Sequence, residues 1–142
     1  MNQDLQKAKQ LLAEGTYTCV LCLAERVYTS TRRGVAPLMG WLEEGTDLRG
    51  FSAADKVVGK ATAMLYCLLG VRSVYARVMS RAAVAVFEQQ GIPYFYDTAV
   101  DAILNRAGNG LCPMETATRN ISDPALAPDA IRKALAALTN NG

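Results

Sequence analysis

Ser52–Gly70 reads SAADKVVGKATAMLYCLLG. Apolar residues fall on nearly every side of a helix drawn through it, so the spacing predicts one buried helix at the centre of the molecule. Its first two turns nevertheless carry Asp55, Lys56 and Lys60. Charged side chains are rarely fully buried without a partner, so an acid and two lysines opening a core helix point to a site. Lys56 and Lys60, four apart on a helix, share a face near its positive N-terminal end. Two ammonium groups there repel unless an anion joins them: a phosphate or carboxylate ligand, or Asp55 or Glu115 of the chain itself. The alternative makes Ser52-x-x-Asp55 a capping box and lets both lysines reach solvent.

Outward from this stretch, helices and strands alternate. Asp4–Glu14 spaces Leu5, Ala8, Leu11 and Leu12 as one helix face, stopped at Gly15. Tyr17–Leu23 and Arg26–Thr29 are β-rich runs joined at Ala24-Glu25, a tight turn without the usual glycine. Ser30–Gly34 is a polar loop, followed by a helix at Val35–Glu44 with Pro37 in its first turn. Beyond the central stretch, Ser73–Met79 is a strand, Arg81–Gln90 a helix capped by Ser80, and Ile92–Tyr96 another strand. Val100–Asn105 reads as a short helix or turn, Gly108–Gly110 as a loop, and Cys112–Thr118 as a helix with Pro113 at its first position. Pro128–Leu138 is the last helix, and the tail over 139–142 is expected to fray. This order implies a single α/β domain over 1–142, with a mixed sheet that is antiparallel at the hairpin end and covered on both faces.

Composition narrows the function classes. A net charge of +2 gives no bulk electrostatic case for nucleic acid or a membrane surface. The most apolar run, Ala61–Val71, is too short to span a bilayer, and MNQDLQKAKQ is too polar for a signal peptide. Four cysteines in core-like segments then imply free thiols in a reducing cytoplasm. There is no histidine, which removes the commonest general base and transition-metal ligand. No metal and no cofactor are expected.

Other candidates lie outside the central stretch. Cys112 follows a Gly-Asn-Gly loop and precedes Pro113, so it caps a helix whose N-terminus can activate a thiol. Glu115, at the third helical position, closes back on that cap or acts as an acid or base. Ser30, Thr31, Arg32, Arg33 and Gly34 precede a helix start and form either an anion cradle or a solvated basic loop. Asn105, Arg106, Asn109 and Gly110 lead into the Cys112 helix and serve either ligand binding or turn geometry. Cys19 and Cys22 are spaced C-x-x-C, but three apart on a strand they face opposite ways and cannot grip one metal. Trp41, between Leu38 and Leu42, reads as packing, on an apolar face that could also support a homo-oligomer.

Three blocks carry a resemblance: GVAPLMGWLEEG (Gly34–Gly45), SAADKVVGKATA (Ser52–Ala63) and GNGLCPMETAT (Gly108–Thr118). In that order they resemble the uncharacterised bacterial and archaeal DUF1893 proteins, over about Leu5–Asp123. The resemblance implies a cytidine-deaminase-like three-layer α/β/α sandwich. It does not carry deaminase chemistry. Those enzymes place His-x-Glu at the helix after the hairpin and Pro-Cys-x-x-Cys at the helix after the next strand. On the reading above these positions fall at Asp55–Ala61 and Ser80–Ala83, and neither holds a histidine or cysteine.

The leading expectation is a protein binding a small anionic ligand, nucleotide-like by fold analogy alone, in a metal-free pocket at the start of the central helix. Lys56 and Lys60 supply charge there, with Ser30, Arg33, Gly34, Asn109 and Gly110 as further contacts. The rival is a metal-independent enzyme with Cys112 or Lys60 as nucleophile and Asp55 or Glu115 for proton transfer. A third reading is a non-catalytic interaction protein.

Overall fold

Gly59 divides the stretch that the spacing reads as one helix. In the computed structural model, which describes residues 1–105 and 107–141, Ser52–Val58 is a strand and Lys60–Leu69 a helix. The elements run α1 (Gln3–Glu14), β1 (Cys19–Leu23), β2 (Arg26–Ser30), α2 (Ala36–Glu44), β3 (Ser52–Val58) and α3 (Lys60–Leu69). They continue with β4 (Ser73–Ser80), α4 (Arg81–Gln90), β5 (Tyr94–Val100), α5 (Pro113–Thr118), a 3-10 turn (Pro124–Leu126) and α6 (Ala127–Asn141). The sheet has five strands in the order β2-β1-β3-β4-β5. β1 is antiparallel to β2 and β3, while β3, β4 and β5 run parallel, so the sheet is mixed.

The strand hidden in the helical reading is the middle one. Ser52–Asp55 is buried throughout, because helices cover β3 on both faces. Such a strand shows no alternation of apolar and polar residues. Ala53 and Ala54 are also good helix formers, so propensity compounds the misreading. Two expectations fall with it. Asp55 sits within a strand and caps nothing, and Lys56 in β3 and Lys60 at the first position of α3 do not share a helix face.

Alternation across the sheet sorts two cores. Val20, Cys22, Ala54 and Tyr75 pack under Leu5, Ala8 and Leu12 of α1. Cys19, Leu21, Ala53, Val74 and Ala76 face the other way, toward α3. The two C-x-x-C thiols therefore lie on opposite faces. α3 is the hub of its layer and packs against α2, α4, α5 and α6. At the start of β3, Ser73 Oγ donates to Ser52 Oγ (2.9 Å), and Asn2 Nδ2 donates to Ser73 Oγ (2.9 Å). Asn2 also caps α1, accepting from Leu5 N at 2.7 Å. These bonds tie α1 to one end of the sheet.

The hairpin turn manages without glycine because α1 braces it. Ala24 takes a left-handed φ of 53°, unusual for a residue with a Cβ. Its N–H donates to Asp4 Oδ1 (3.0 Å), and its carbonyl accepts from Lys7 Nζ (3.3 Å). Later boundaries also shift. β5 runs on to Val100, and Leu104 bridges Leu111, so Val100–Asn105 is extended rather than helical. α6 continues to Asn141 rather than ending at Leu138. Arg106, assigned above to the loop before α5, and the last tail residue Gly142 lie outside the described residues. No described helix is long and apolar enough to cross a membrane.

Candidate functional site

A cavity of about 380 Å³ opens at the carboxyl end of β3, where open α/β sheets commonly bind ligands and within the usual size range for small-molecule sites. Five parts of the chain build it. They are Thr18 before β1; Arg33, Gly34 and Val35 at the start of α2; Asp55, Lys56 and Val57 of β3; Gly59, Ala61 and Thr62 at the start of α3; and an outer wall of Ile103, Cys112, Met114 and Glu115. Val35, Val57, Ala61, Ile103 and Met114 make much of the wall apolar.

Asp55 is the buried acid of this wall, at 7% exposure. It pairs with Cys19 across the antiparallel β1–β3 ladder, and both side chains face α3. There Tyr66 Oη donates to Asp55 Oδ2 at 2.6 Å, while Asp55 Oδ1 accepts from Val57 N at 3.3 Å. Burial raises the Asp55 pKa from its usual 3.8 to about 7, and the hydrogen bonds from Tyr66 and the backbone pull the other way. Burial, and then the charge of Asp55, push Tyr66 and Cys19 well above their ordinary values. The phenol and thiol behind Asp55 thus stay neutral, and the carboxyl is the group that titrates near neutral pH.

Glu115 sits at the third position of α5, but it caps a different helix from its own. Its Oε1 accepts from Lys60 N at 2.9 Å and so supplies the cap that Gly59 has no side chain to give α3. A carboxylate of the chain itself therefore occupies the positive end of α3. The close approach requires glycine at position 59, where a Cβ would collide with Glu115 Oε1 and come within 3.1 Å of Ile103 Cγ1.

Lys60 does not line the cavity. Its half-buried side chain turns to α5, where Nζ donates to the Arg119 carbonyl at 3.1 Å. The expected Lys56–Lys60 anion clamp is not formed, because a strand and a separate helix carry the two residues. Lys60→Met is expected to change stability by less than about 1 kcal/mol and to leave anion binding unchanged, as an exposed hydrogen bond contributes little. Paired urea and phosphate titrations check both parts.

Asp55, Lys56, Arg33, Gly34, Cys112 and Glu115 are the sequence candidates that line the cavity. Cys112 caps α5 by position, with its N–H donating to the Ile103 carbonyl at 2.9 Å and no side-chain cap bond. The remaining candidates lie elsewhere. Ser30 borders a separate hollow of about 100 Å³ beside Trp41, and its Oγ accepts from Arg32 N at 3.0 Å. Asn109 and Gly110 serve the turn: Asn105 Nδ2 donates to Asn109 Oδ1 (3.0 Å), and Asn105 N to the Gly110 carbonyl (2.8 Å). Trp41 packs edge-on against Tyr28 at 6.1 Å. Sequence reasoning missed Thr18, Thr62 and Tyr66. For Tyr66 a signal existed, since a tyrosine inside an apolar helix needs a partner for its hydroxyl.

Of the two stretches compared above with deaminase zinc motifs, Asp55–Ala61 spans the end of β3 and the start of α3, and Ser80–Ala83 lies at the start of α4. The helix after the hairpin is α2, reached through Gly34-Val35-Ala36, and the helix after the next strand is α3, reached through Gly59-Lys60-Ala61. Both positions border the cavity, unlike Ser80–Ala83, and neither carries a histidine or cysteine. These residues do not fit zinc. Among the described residues no cluster of three or more Cys, Asp or Glu side chains could hold a metal ion.

A family profile described as "Domain of unknown function (DUF1893)" matches residues 7–135. Among solved structures, the chain is similar to a DUF1893 family protein from Thermotoga maritima, at 23% identity and a TM-score of 0.83. That match covers 96% of this chain and 91% of the other. No curated protein matches the sequence.

Proposed function

The chain belongs to the DUF1893 family, and since that description names no activity, we propose a function from the cavity itself: it binds a small ligand with an apolar body and an anionic group. The observation that carries this reading is the pair Arg33 and Lys56 on an otherwise largely apolar cavity. Among the described residues neither takes part in an ion pair, while Arg49, Arg81 and Arg132 all do. Cations beside a low-dielectric cavity attract an anion more strongly than they would in open water.

The finer fold reading, a cytidine-deaminase-like three-layer sandwich, draws support from the strand order and from the starts of α2 and α3 meeting at one cavity. A nucleotide-like ligand follows from that analogy and from the cavity's size. The four unpaired thiols support a reducing cytoplasm.

Thermal melts with inorganic phosphate and with ribose 5-phosphate test the proposal. Either probe is expected to stabilise the wild-type protein, by ~2.7 kcal/mol at a hundredfold excess over its Kd. Arg33→Ala and Lys56→Ala should each weaken that effect and the double variant should abolish it, with apo stability unchanged or raised as like charges are removed. Equal stabilisation of wild type and double variant, or none of wild type, rejects the reading.

A further inference from the structure

We propose that Asp55 reads the hydrogen-bonding edge of a planar heteroaromatic ring in this cavity, an edge that sets a donor beside an acceptor as amide-type and amidine-type rings do. This rests on the anion-binding reading above and adds the class of the ligand's body. Its basis is where the carboxyl lies. Asp55 is more than nine-tenths buried, borders the cavity, and is fixed in orientation by the 2.6 Å bond from Tyr66 Oη to Oδ2. A neutral carboxyl presents one O–H donor next to a carbonyl acceptor, which is the complement of such an edge. Burial favours that neutral form.

The surroundings fit the same ligand. Val35, Val57, Ala61 and Met114 supply apolar walls for a flat ring. The cations Arg33 and Lys56 border the same space, so a ring can meet Asp55 while its anionic substituent meets them. A purely aliphatic anion would add nothing to the bonds that Asp55 already accepts from Tyr66 Oη and Val57 N, whereas a ring edge would also meet the carboxyl's own donor, and sites that hydrogen-bond a ligand discriminate strongly against analogues lacking that group. The charged or titratable groups around Asp55 are Cys19 on β1, Tyr66 on α3, Lys56 on its own strand, Arg33 before α2, and Cys112 and Glu115 on the outer wall. Cys19 and Tyr66 have raised pKa values and stay neutral.

Calorimetric titration separates the contributions. Ribose 5-phosphate offers the anion without a ring, phenyl phosphate a ring without the edge, and cytidine 5′-monophosphate both. Wild type at about pH 6 is expected to bind cytidine 5′-monophosphate ~10-fold or more tightly than the other two. That preference should shrink at about pH 8, where Asp55 has lost its proton and with it the donor. The ratio to ribose 5-phosphate cancels the titration of the phosphate itself. In Asp55→Val/Tyr66→Phe, which removes both partners of the buried bond, the preference should vanish while ribose 5-phosphate still binds. Asp55→Asn keeps a donor and an acceptor at every pH, so its preference should persist and no longer depend on pH. Wild type that binds all three probes alike overturns the inference and leaves the anion site standing. So does a preference that survives Asp55→Val/Tyr66→Phe, or an Asp55→Asn preference with the wild-type pH dependence. Failure of every probe to bind wild type rejects both readings together.

Discussion

Asp55→Asn is expected to stabilise the ligand-free protein at pH 8 by roughly 4 kcal/mol, with little effect near pH 4. The reasoning starts from burial. In the unfolded chain the Asp55 carboxyl ionises near 3.8, and in the folded chain near 7. Because the folded value is the higher one, the native state binds the proton more tightly. Stability from this group is fully present below about pH 4, is lost as pH rises toward 7, and stays lost above it. Asparagine has no charge to desolvate and keeps an oxygen to accept from Tyr66 Oη. In melting temperature the gain is on the order of 10 °C for a chain of this length. Urea melts of both proteins between about pH 4 and pH 8 check it. A variant less stable than wild type at pH 8, or a difference independent of pH, would show that Asp55 is held ionised by a partner such as Lys56. The neutral carboxyl on which the ligand reading depends would then be wrong.

What the sequence discloses of this arrangement depends on the physics of each segment. β1, buried as fully as β3, is read from its short β-rich run beside the exposed β2, while α1 and α4 are legible because each keeps one face in water and carries a clear capping residue, as Asn2, Ser80 and Gly91 do here. β3 is illegible for the opposite reason. A strand between two packed layers carries no polar face, and its small residues suit a helix as well. The error spreads from there: with β3 folded into α3, Lys56 and Lys60 are set on one helix face and Lys60 is drawn into a site it does not line. Asp55 survives as a candidate, since an acid inside an apolar stretch is anomalous in either secondary structure. The roles of Glu115 and Gly59 depend on Glu115 meeting Lys60 N, 55 positions away in the chain, and local pattern does not encode that contact.

That contact sets the second large effect. Gly59→Ala is expected to destabilise the protein by about 3 kcal/mol, although alanine is ordinarily tolerated at an extended backbone position. The φ of −96° at Gly59 is open to any residue, so backbone strain is not the cause. The obstacle is the Glu115 carboxylate against the α-carbon, with Ile103 Cγ1 close behind. Alanine must drive Glu115 off Lys60 N, breaking a charge-assisted bond and leaving the start of α3 uncapped, or else push the outer wall of the cavity away. Glu115→Ala alone removes the same cap and should cost about 1–2 kcal/mol. Combined, the two changes should be far from additive. With Glu115 truncated the added methyl meets only Ile103, and the reduced freedom of the unfolded chain returns ~0.4–1 kcal/mol. Gly59→Ala is then nearly neutral in the Glu115→Ala background, a coupling of ~3 kcal/mol in a four-protein urea cycle. Strict additivity would mean that Glu115 does not rest on Gly59 in solution. Glu115 would then not close the cavity against the start of α3, and both ligand proposals would lose that part of the enclosure they require.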